Sequence, residues 1–189
     1  MPKRFSKALG KRTHSNPNRG ISTLDEDEGP SFIEGLKDDP FILILDQVQD
    51  PRNLGACLRS ADGAGVNLVV LPSDRSAGLT DVVRHVASGA AEALPLMRVR
   101  NLARIMREFR ELGVFLFGTS DQAKMSLYDA NFSGSMGLVM GAEGTGIRRL
   151  TADLCDDLIQ VPMSGSVDCL NVSVATGVCL FEAKRQRDN

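Results

Sequence analysis

From residue 40 onward the chain alternates between two textures. Runs that are apolar at nearly every position occur at FILIL (41–45, closed by Asp46), NLVVL (67–71), LPLMRV (94–99), VFLFG (114–118), GLVM (137–140) and LIQV (158–161). A strand with one wet face alternates apolar and polar residues, so continuous runs predict strands covered on both faces, as in a parallel sheet. Between them the spacing becomes helical. In DPRNLGACLRSADGAG (50–65), Asp50 is a natural N-cap and Pro51 a natural first helical residue. Leu54, Leu58 and Ala61 share one face, and Gly63 or Gly65 ends the helix. NLARIMREFRELG (101–113) begins with a capping Asn101 and stops at Gly113, and its stripe of Leu102, Ile105, Met106, Phe109 and Leu112 reads as core. Segments 79–92, 147–155 and 172–187 complete the helices. Strands alternating with helices of this length predict an α/β domain, a mostly parallel sheet with helices on both faces. Ligands of such sheets bind beyond the carboxyl ends of the strands, which singles out the residues after Asp46, Gly118, Met140 and Val161.

Residues 1–38 break this rhythm. They lack hydrophobic periodicity and are rich in Lys, Arg, Asn, Ser, Gly and Pro, so a flexible tail is expected there and one folded domain over 39–189. The formal net charge of −2 argues against a uniformly basic nucleic-acid binder, but the charge is unevenly placed. Lys3, Arg4, Lys7, Lys11, Arg12 and Arg19 precede any acid, Asp25 to Glu28 form an acidic block, and Lys184, Arg185 and Arg187 make the far end basic again. The basic start reads as solvated chain, as an arm for phosphate backbones, or as an organelle transit peptide. The lack of a membrane-length apolar run or a signal-like segment predicts an intracellular, cytoplasmic protein. Cys57, Cys155, Cys169 and Cys179 form no CxxC pair, and His14 and His85 are the only histidines, so no metal site is expected and the thiols read as reduced and mostly buried.

Three loops at the predicted strand ends have the composition of a site. In the first, Asn53 lies in the opening turn of a helix, where unpaired N–H groups face a ligand. Arg59 shares a face with Arg52 but lies about 120° around the axis from Asn53, so an ideal helix does not bring Asn53 and Arg59 together. In the second, LVMGAEGTGIRRL (138–150), Gly141, Gly144 and Gly146 fit neither the GxGxxG fingerprint nor a phosphate loop. Glu143 within it repels phosphate and suits a cationic or hydroxyl-bearing ligand; a plain glycine turn with a solvent-facing acid is the alternative. The third, VPMSGSVDCLNVSVATG (161–177), crowds short polar residues before a helix that Asn171 or Ser173 can cap. With His85 the only histidine in the folded part, neither a serine triad nor a cysteine–base pair is easy to build.

Together and in this order, DPRNLGACLRSADGAG, LVMGAEGTGIRRL with the following CDDLIQVPM, and GSVDCLNVSVATGVCLFEA resemble the three signature motifs of the SpoU/TrmH family of the SPOUT superfamily. These are RNA ribose 2′-O-methyltransferases that use S-adenosyl-L-methionine, and the resemblance covers roughly residues 40–187. It is nearest to the enzymes that methylate a guanosine 2′-hydroxyl in bacterial 23S ribosomal RNA. The resemblance implies a C-terminal trefoil knot that forms the cofactor pocket, a homodimer, and RNA as partner. It implies Asn53 and Arg59 as the RNA-side pair, Glu143 as the acid of the second motif, and Asn171 as a polar group of the third. Gly141, Val161, Met163 and Leu170 fall at cofactor-holding positions, and Thr119 at the rim of the same pocket.

An arginine keeps its proton below pH ~12, so binding a nucleotide phosphate or lowering the hydroxyl's pKa is the expected role of Arg59. Two positions depart from the family pattern. Cys169 stands where the third motif usually has serine, and a thiol is the weaker hydrogen-bonding group. Where near relatives often carry a small RNA-binding domain, this chain has its basic-then-acidic segment, which leaves RNA selection to that segment, the dimer or a partner. A tRNA 2′-O-methyltransferase and an RNA-binding ribosome-assembly factor with weakened catalysis are the alternatives. A nucleotide-dependent oxidoreductase is disfavoured by the glycine spacing.

Overall fold

Phe41–Leu45 forms strand β2, buried at every position, and its alternate side chains feed two different cores. Leu43 and Leu45 point into one layer with Leu54 and Leu58, while Ile42 and Ile44 point into another with Ile105 and Phe109. That double coverage is why the run shows no apolar–polar alternation. The computed structural model describes residues 23–189. Within them the elements run β1 (Thr23–Leu24), α1 (Gly29–Glu34), β2, α2 (Pro51–Ala64), β3 (Leu68–Pro72), α3 (Asp81–Ala87), α4 (Ala90–Ala93), β4 (Leu96–Val99) and α5 (Leu102–Glu111). Then follow β5 (Phe115–Thr119), β6 (Met125–Ser126), β7 (Met136–Met140), α6 (Arg149–Ala152), β8 (Asp157–Gln160) and α7 (Val172–Arg187). The strands form one sheet in the order β1-β4-β3-β2-β7-β5-β8-β6, and every pairing is parallel. The expected α/β architecture with a parallel sheet and helices on both faces is present.

Helix α2 starts as its sequence dictates. The Asp50 carboxylate accepts the Arg52 N–H at 2.7 Å, Pro51 opens the helix, and Gly65 in left-handed backbone (φ 83°) closes it. Of the two glycines able to end it, Gly65 does so. Helix α5 is capped by Asn101 and buries Leu102, Ile105, Met106 and Phe109, the stripe read as core. The helical stretch expected over 79–92 is interrupted: Ser88 and Gly89 both adopt left-handed backbone (φ 53° and 93°), which ends α3 and starts α4.

The segment expected as a tail is described only in part. Its residues 23–36 are built into the fold, while residues 1–22, with the basic cluster, lie outside the described residues. β1 extends the sheet beside β4 with Thr23 opposite Leu96, and α1 buries Ile33 in the α5 layer. The acidic block is a short 3-10 turn fastened to α5: Arg104 contacts Glu26 at 2.9 Å and Asp27 at 3.1 Å, and the Arg100 N–H donates to Glu26 at 2.9 Å. Burial pushes the Glu26 carboxyl up, but the hydrogen bonds from Arg100 and Arg104 together outweigh it and leave the group below its usual range. A two-residue strand and a six-residue helix are too short to show a period, which is why this segment read as tail.

Candidate active site

Four adjacent strands, β2, β7, β5 and β8, end on the same side of the sheet, so the loops that follow them are forced together. They enclose a cavity of about 400 Å³ with walls from Thr119–Asp121, Met140–Ile147, Gln160–Val161, Met163, Asp168–Leu170 and the start of α7. Its charge is one-sided. Asp121, Glu143 and Asp168 line it, and no Lys, Arg or His does.

The second loop owes its shape to glycine. Ala142 and Gly146 exchange backbone hydrogen bonds (3.1 and 2.9 Å), and this tight turn needs left-handed backbone at Gly144 (φ 79°) and Gly146 (φ 65°). A Cβ at Gly141 would collide with the backbone of Gly146 and Ile147, so only glycine permits the turn to fold back on the strand end. Glu143 stands at the exposed tip.

The third loop ends at Asn171, which settles the capping question. The Asn171 Oδ1 accepts the Ser173 N–H at 2.9 Å and the Ser173 hydroxyl at 2.7 Å, so Asn171 is the N-cap of α7. With its oxygen committed, its Nδ2 is free to donate to Asn53 Oδ1 at 3.1 Å and to Glu143 Oε1 at 3.4 Å. Asn53 in turn donates from its own Nδ2 to Glu143 Oε2 at 3.2 Å. The cap thus orients one amide, that amide orients the next, and both aim N–H groups at one carboxylate. Residues 118 apart in the chain meet here.

Thr119, Gly141, Glu143, Val161, Met163, Cys169 and Leu170 all line the cavity, and Asn53 and Asn171 stand beside it through Glu143. The Thr119 hydroxyl is spent on the Val139 carbonyl at 3.2 Å, so this residue offers the cavity little beyond its backbone. Arg59 is not brought to the network. It is exposed on α2, about two turns beyond Asn53, and donates to the Ser88 hydroxyl at 3.3 Å. Cys169 is exposed, and exposed His85 on α3 does not line the cavity. Of the other thiols Cys57 and Cys179 are buried and Cys155 is half-buried, and all three are poor nucleophiles: burial pushes Cys57 up to about 11, and Cys155 and Cys179 up to about 12. Among the described residues no three His, Cys, Asp or Glu side chains cluster as metal ligands.

Asp121, Asp46 and Arg148 were not singled out by the sequence as site residues. Asp46 is fully buried at the end of β2, and its carboxylate takes the backbone N–H and the guanidinium of Arg148. The available signal was the acid that closes an otherwise apolar strand.

Residues 40–181 match the family model of the SpoU rRNA Methylase family. The chain belongs to that family. Among similar proteins, the 23S rRNA (guanosine-2'-O-)-methyltransferase RlmB of Ralstonia nicotianae is 57% identical over 183 residues, covering 89% of this chain and 74% of the relative. Its Escherichia coli K12 counterpart, of the same description, is 58% identical over 162 residues, 86% of this chain and 66% of the relative. Among solved structures, the SpoU methyltransferase AviRb of Streptomyces viridochromogenes in complex with AdoMet superposes with a TM-score of 0.74 at 27% identity, over 80% of this chain and 62% of that one. The A. aeolicus TrmH/SpoU tRNA modifying enzyme superposes with a TM-score of 0.74 at 26% identity, over 86% of this chain and 82% of that one. The chain therefore spans about two thirds of the length of several of the relatives it matches. Membership gives the three converging loops a common context: they carry the three motifs, and the model match contains all of them up to Phe181.

Proposed function

We propose that the chain is an RNA ribose 2′-O-methyltransferase that uses S-adenosyl-L-methionine and acts on a guanosine of 23S ribosomal RNA. The observation that carries this reading is the cavity lined by Asp121, Glu143 and Asp168 without a cation, beside the Asn53–Glu143–Asn171 network. Three carboxylates disfavour the phosphates of nucleotide cofactors, whereas S-adenosyl-L-methionine carries a sulfonium and an ammonium. The cavity volume of about 400 Å³ lies in the range of small-molecule sites, and the backbone of Gly141, Val161 and Leu170 with the side chain of Met163 supplies walls for an adenosine.

When bound, the cofactor supplies a methyl group on positively charged sulfur, which becomes a neutral thioether as the methyl–oxygen bond forms. The residues of the chain position the other reactant. Asn53 and Asn171 hold the Glu143 carboxylate in one orientation at the rim, where it can accept a hydrogen bond from a ribose hydroxyl. Holding the two reactants in line is worth up to about 7–11 kcal/mol of barrier. Arg59, always cationic, is assigned to the RNA phosphate. The choice of 23S RNA over tRNA rests on the 57% and 58% identity to enzymes described for 23S RNA, against 26% to a tRNA modifying enzyme.

We also propose that the chain works as a homodimer, in the cytoplasm, with its C-terminal segment threaded as the family's knot and its catalytic domain beginning near residue 23. Support for the dimer comes from α7, where Val174 (52% exposed) and Phe181 (51%) lie seven residues apart on one face. Phe181 lies beside Gly63, one turn beyond Arg59 on α2, so a copy seated on that face would also lie near Arg59. No helix among the described residues is long and apolar enough to cross a membrane. Incubation with tritiated cofactor and unmodified 23S and tRNA transcripts tests the reading: label in 23S RNA alone supports it. Label in tRNA alone moves the substrate to tRNA, and cofactor binding without transfer to either favours an assembly factor.

A further inference from the structure

Among the described residues Asp46 is the only charged side chain shut off from solvent, at 0% exposure. A buried charge is costly unless it is paired and hydrogen-bonded, so its partners indicate what it is kept for. The carboxylate's partner, Arg148, directly follows the glycine loop, and the backbone of the same residue pairs with Met140, which directly precedes it. On the entering side, the Asp46 backbone N–H donates to the carbonyl of Met140, the last residue of β7, at 2.7 Å. On the leaving side, Arg148 reaches back to the Asp46 carboxylate three times: its backbone N–H and its Nε donate to Oδ2 at 3.1 Å each, and its Nη2 lies 2.6 Å from Oδ1. One residue therefore holds both stems of the loop that presents Glu143. Four residues further on, Asp50 caps α2 and so fixes Asn53, the first group that Glu143 contacts.

We propose that Asp46 is a positioning residue: it staples the two stems of loop 141–147 to the end of β2, which holds Glu143 on Asn53 and Asn171 and keeps the cavity wall in shape. The loop alone is a weak structure, with one pair of hydrogen bonds between Ala142 and Gly146 and two glycines in left-handed backbone. The guanidinium of Arg148 is 43% exposed, so a pairing with solvent was open to it and the buried carboxylate is what draws it inward. The functional consequence rests on the proposed methyltransferase reading; the staple itself does not.

The test is hydrogen exchange on the cofactor-free full chain, comparing wild type with Asp46→Asn and Arg148→Ala, followed by titration with S-adenosyl-L-methionine. The expected result is exchange at least about tenfold faster at the Ala142 and Gly146 amides, with Leu43 and Leu138 in the flanking strands unchanged. Cofactor affinity should fall about tenfold in the same variants, the usual range for removing a group that orients a binding residue. Should Asp46→Asn fail to fold, Arg148→Ala decides alone, because it removes the half-exposed partner and leaves the buried acid its backbone donor. Loop amides as protected as in wild type, or protection lost equally in β2 and β7, would overturn the proposal. Failure of the wild type to bind the cofactor would instead refute the cavity reading, and the exchange result would still judge the staple.

Discussion

The amide of Asn171 is divided between two duties, and the division fixes which of its atoms faces Glu143. Its oxygen caps α7, so its nitrogen faces Asn53 and Glu143. Removing Asn53 should therefore take away the shorter of the two amide contacts that orient the carboxylate without disturbing the helix. Asn53→Ala is expected to lower kcat/KM about 100-fold, the scale of a misplaced catalytic group, with an unchanged thermal midpoint; a comparable loss in midpoint would mean the residue serves the fold instead. Cys169 is the exposed thiol of the four, whereas Cys57 and Cys179 are buried and Cys155 is half-buried, and burial holds those three up near 11 to 12. Iodoacetamide at about pH 8 should label one thiol in the folded chain and four in urea, and saturating cofactor should protect that one. Mass spectrometry locates the label, and a second labelled position in the folded chain contradicts the packing. Glu143 and Asn171 were legible in the sequence because an acid in a glycine loop and a surplus of caps are local oddities. The contact of Asn53 with Asn171 was not, because no helix geometry relates residues 118 apart. Asp46 stood out only as the acid closing an apolar run, because its burial is set by β7 and by Arg148, neither of which is near it in sequence.

Helix α7 closes the site at one end and anchors the chain at the other. Toward its C-terminus Glu182 accepts hydrogen bonds from Arg185 and Gln186, and Gln186 also pins the segment before β7 through Ala130 and Phe132. The Arg185 contact first, then Gln186, holds the Glu182 carboxyl down at about 2, against an ordinary 4.5. A carboxyl more acidic in the folded than in the unfolded state stabilises the fold above pH 4.5 and loses that contribution as the pH falls toward 2. Urea midpoints should therefore differ between wild type and Glu182→Gln at about pH 6 and converge at about pH 2.5; a constant gap would show that the charge is not the cause. At this scale the sequence was informative wherever elements are long. The six apolar runs became strands, with β2, β3 and β7 buried at every position and β8 at the far side of the sheet only partly covered, and the caps at Asp50 and Asn101 are local chemistry. What escaped was short or conditional: α1, held by Ile33 against α5, the two-residue strands, and the break at Ser88, where a non-glycine residue takes left-handed backbone.

Seen whole, the chain leaves Val174 and Phe181 uncovered on α7, and Arg59 away from Asn53 and Glu143. The proposed dimer across that face would account for both. Light scattering should give about twice the 20.4 kDa chain mass for wild type and the single mass for Phe181→Asp, with methyl transfer lost in proportion. A monomeric, fully active wild type would remove the dimer from the mechanism. The parallel sheet was readable from periodicity at this scale, whereas threading leaves no trace in hydrophobic spacing and enters only through family resemblance. The most direct test of the function is nucleoside mass spectrometry of an unmodified 23S transcript after incubation with the chain and S-adenosyl-L-methionine. Ribose-methylated guanosine at one position, absent with Asn53→Ala, is the expected result. Methyl groups on a base, or none on any RNA despite bound cofactor, would contradict it.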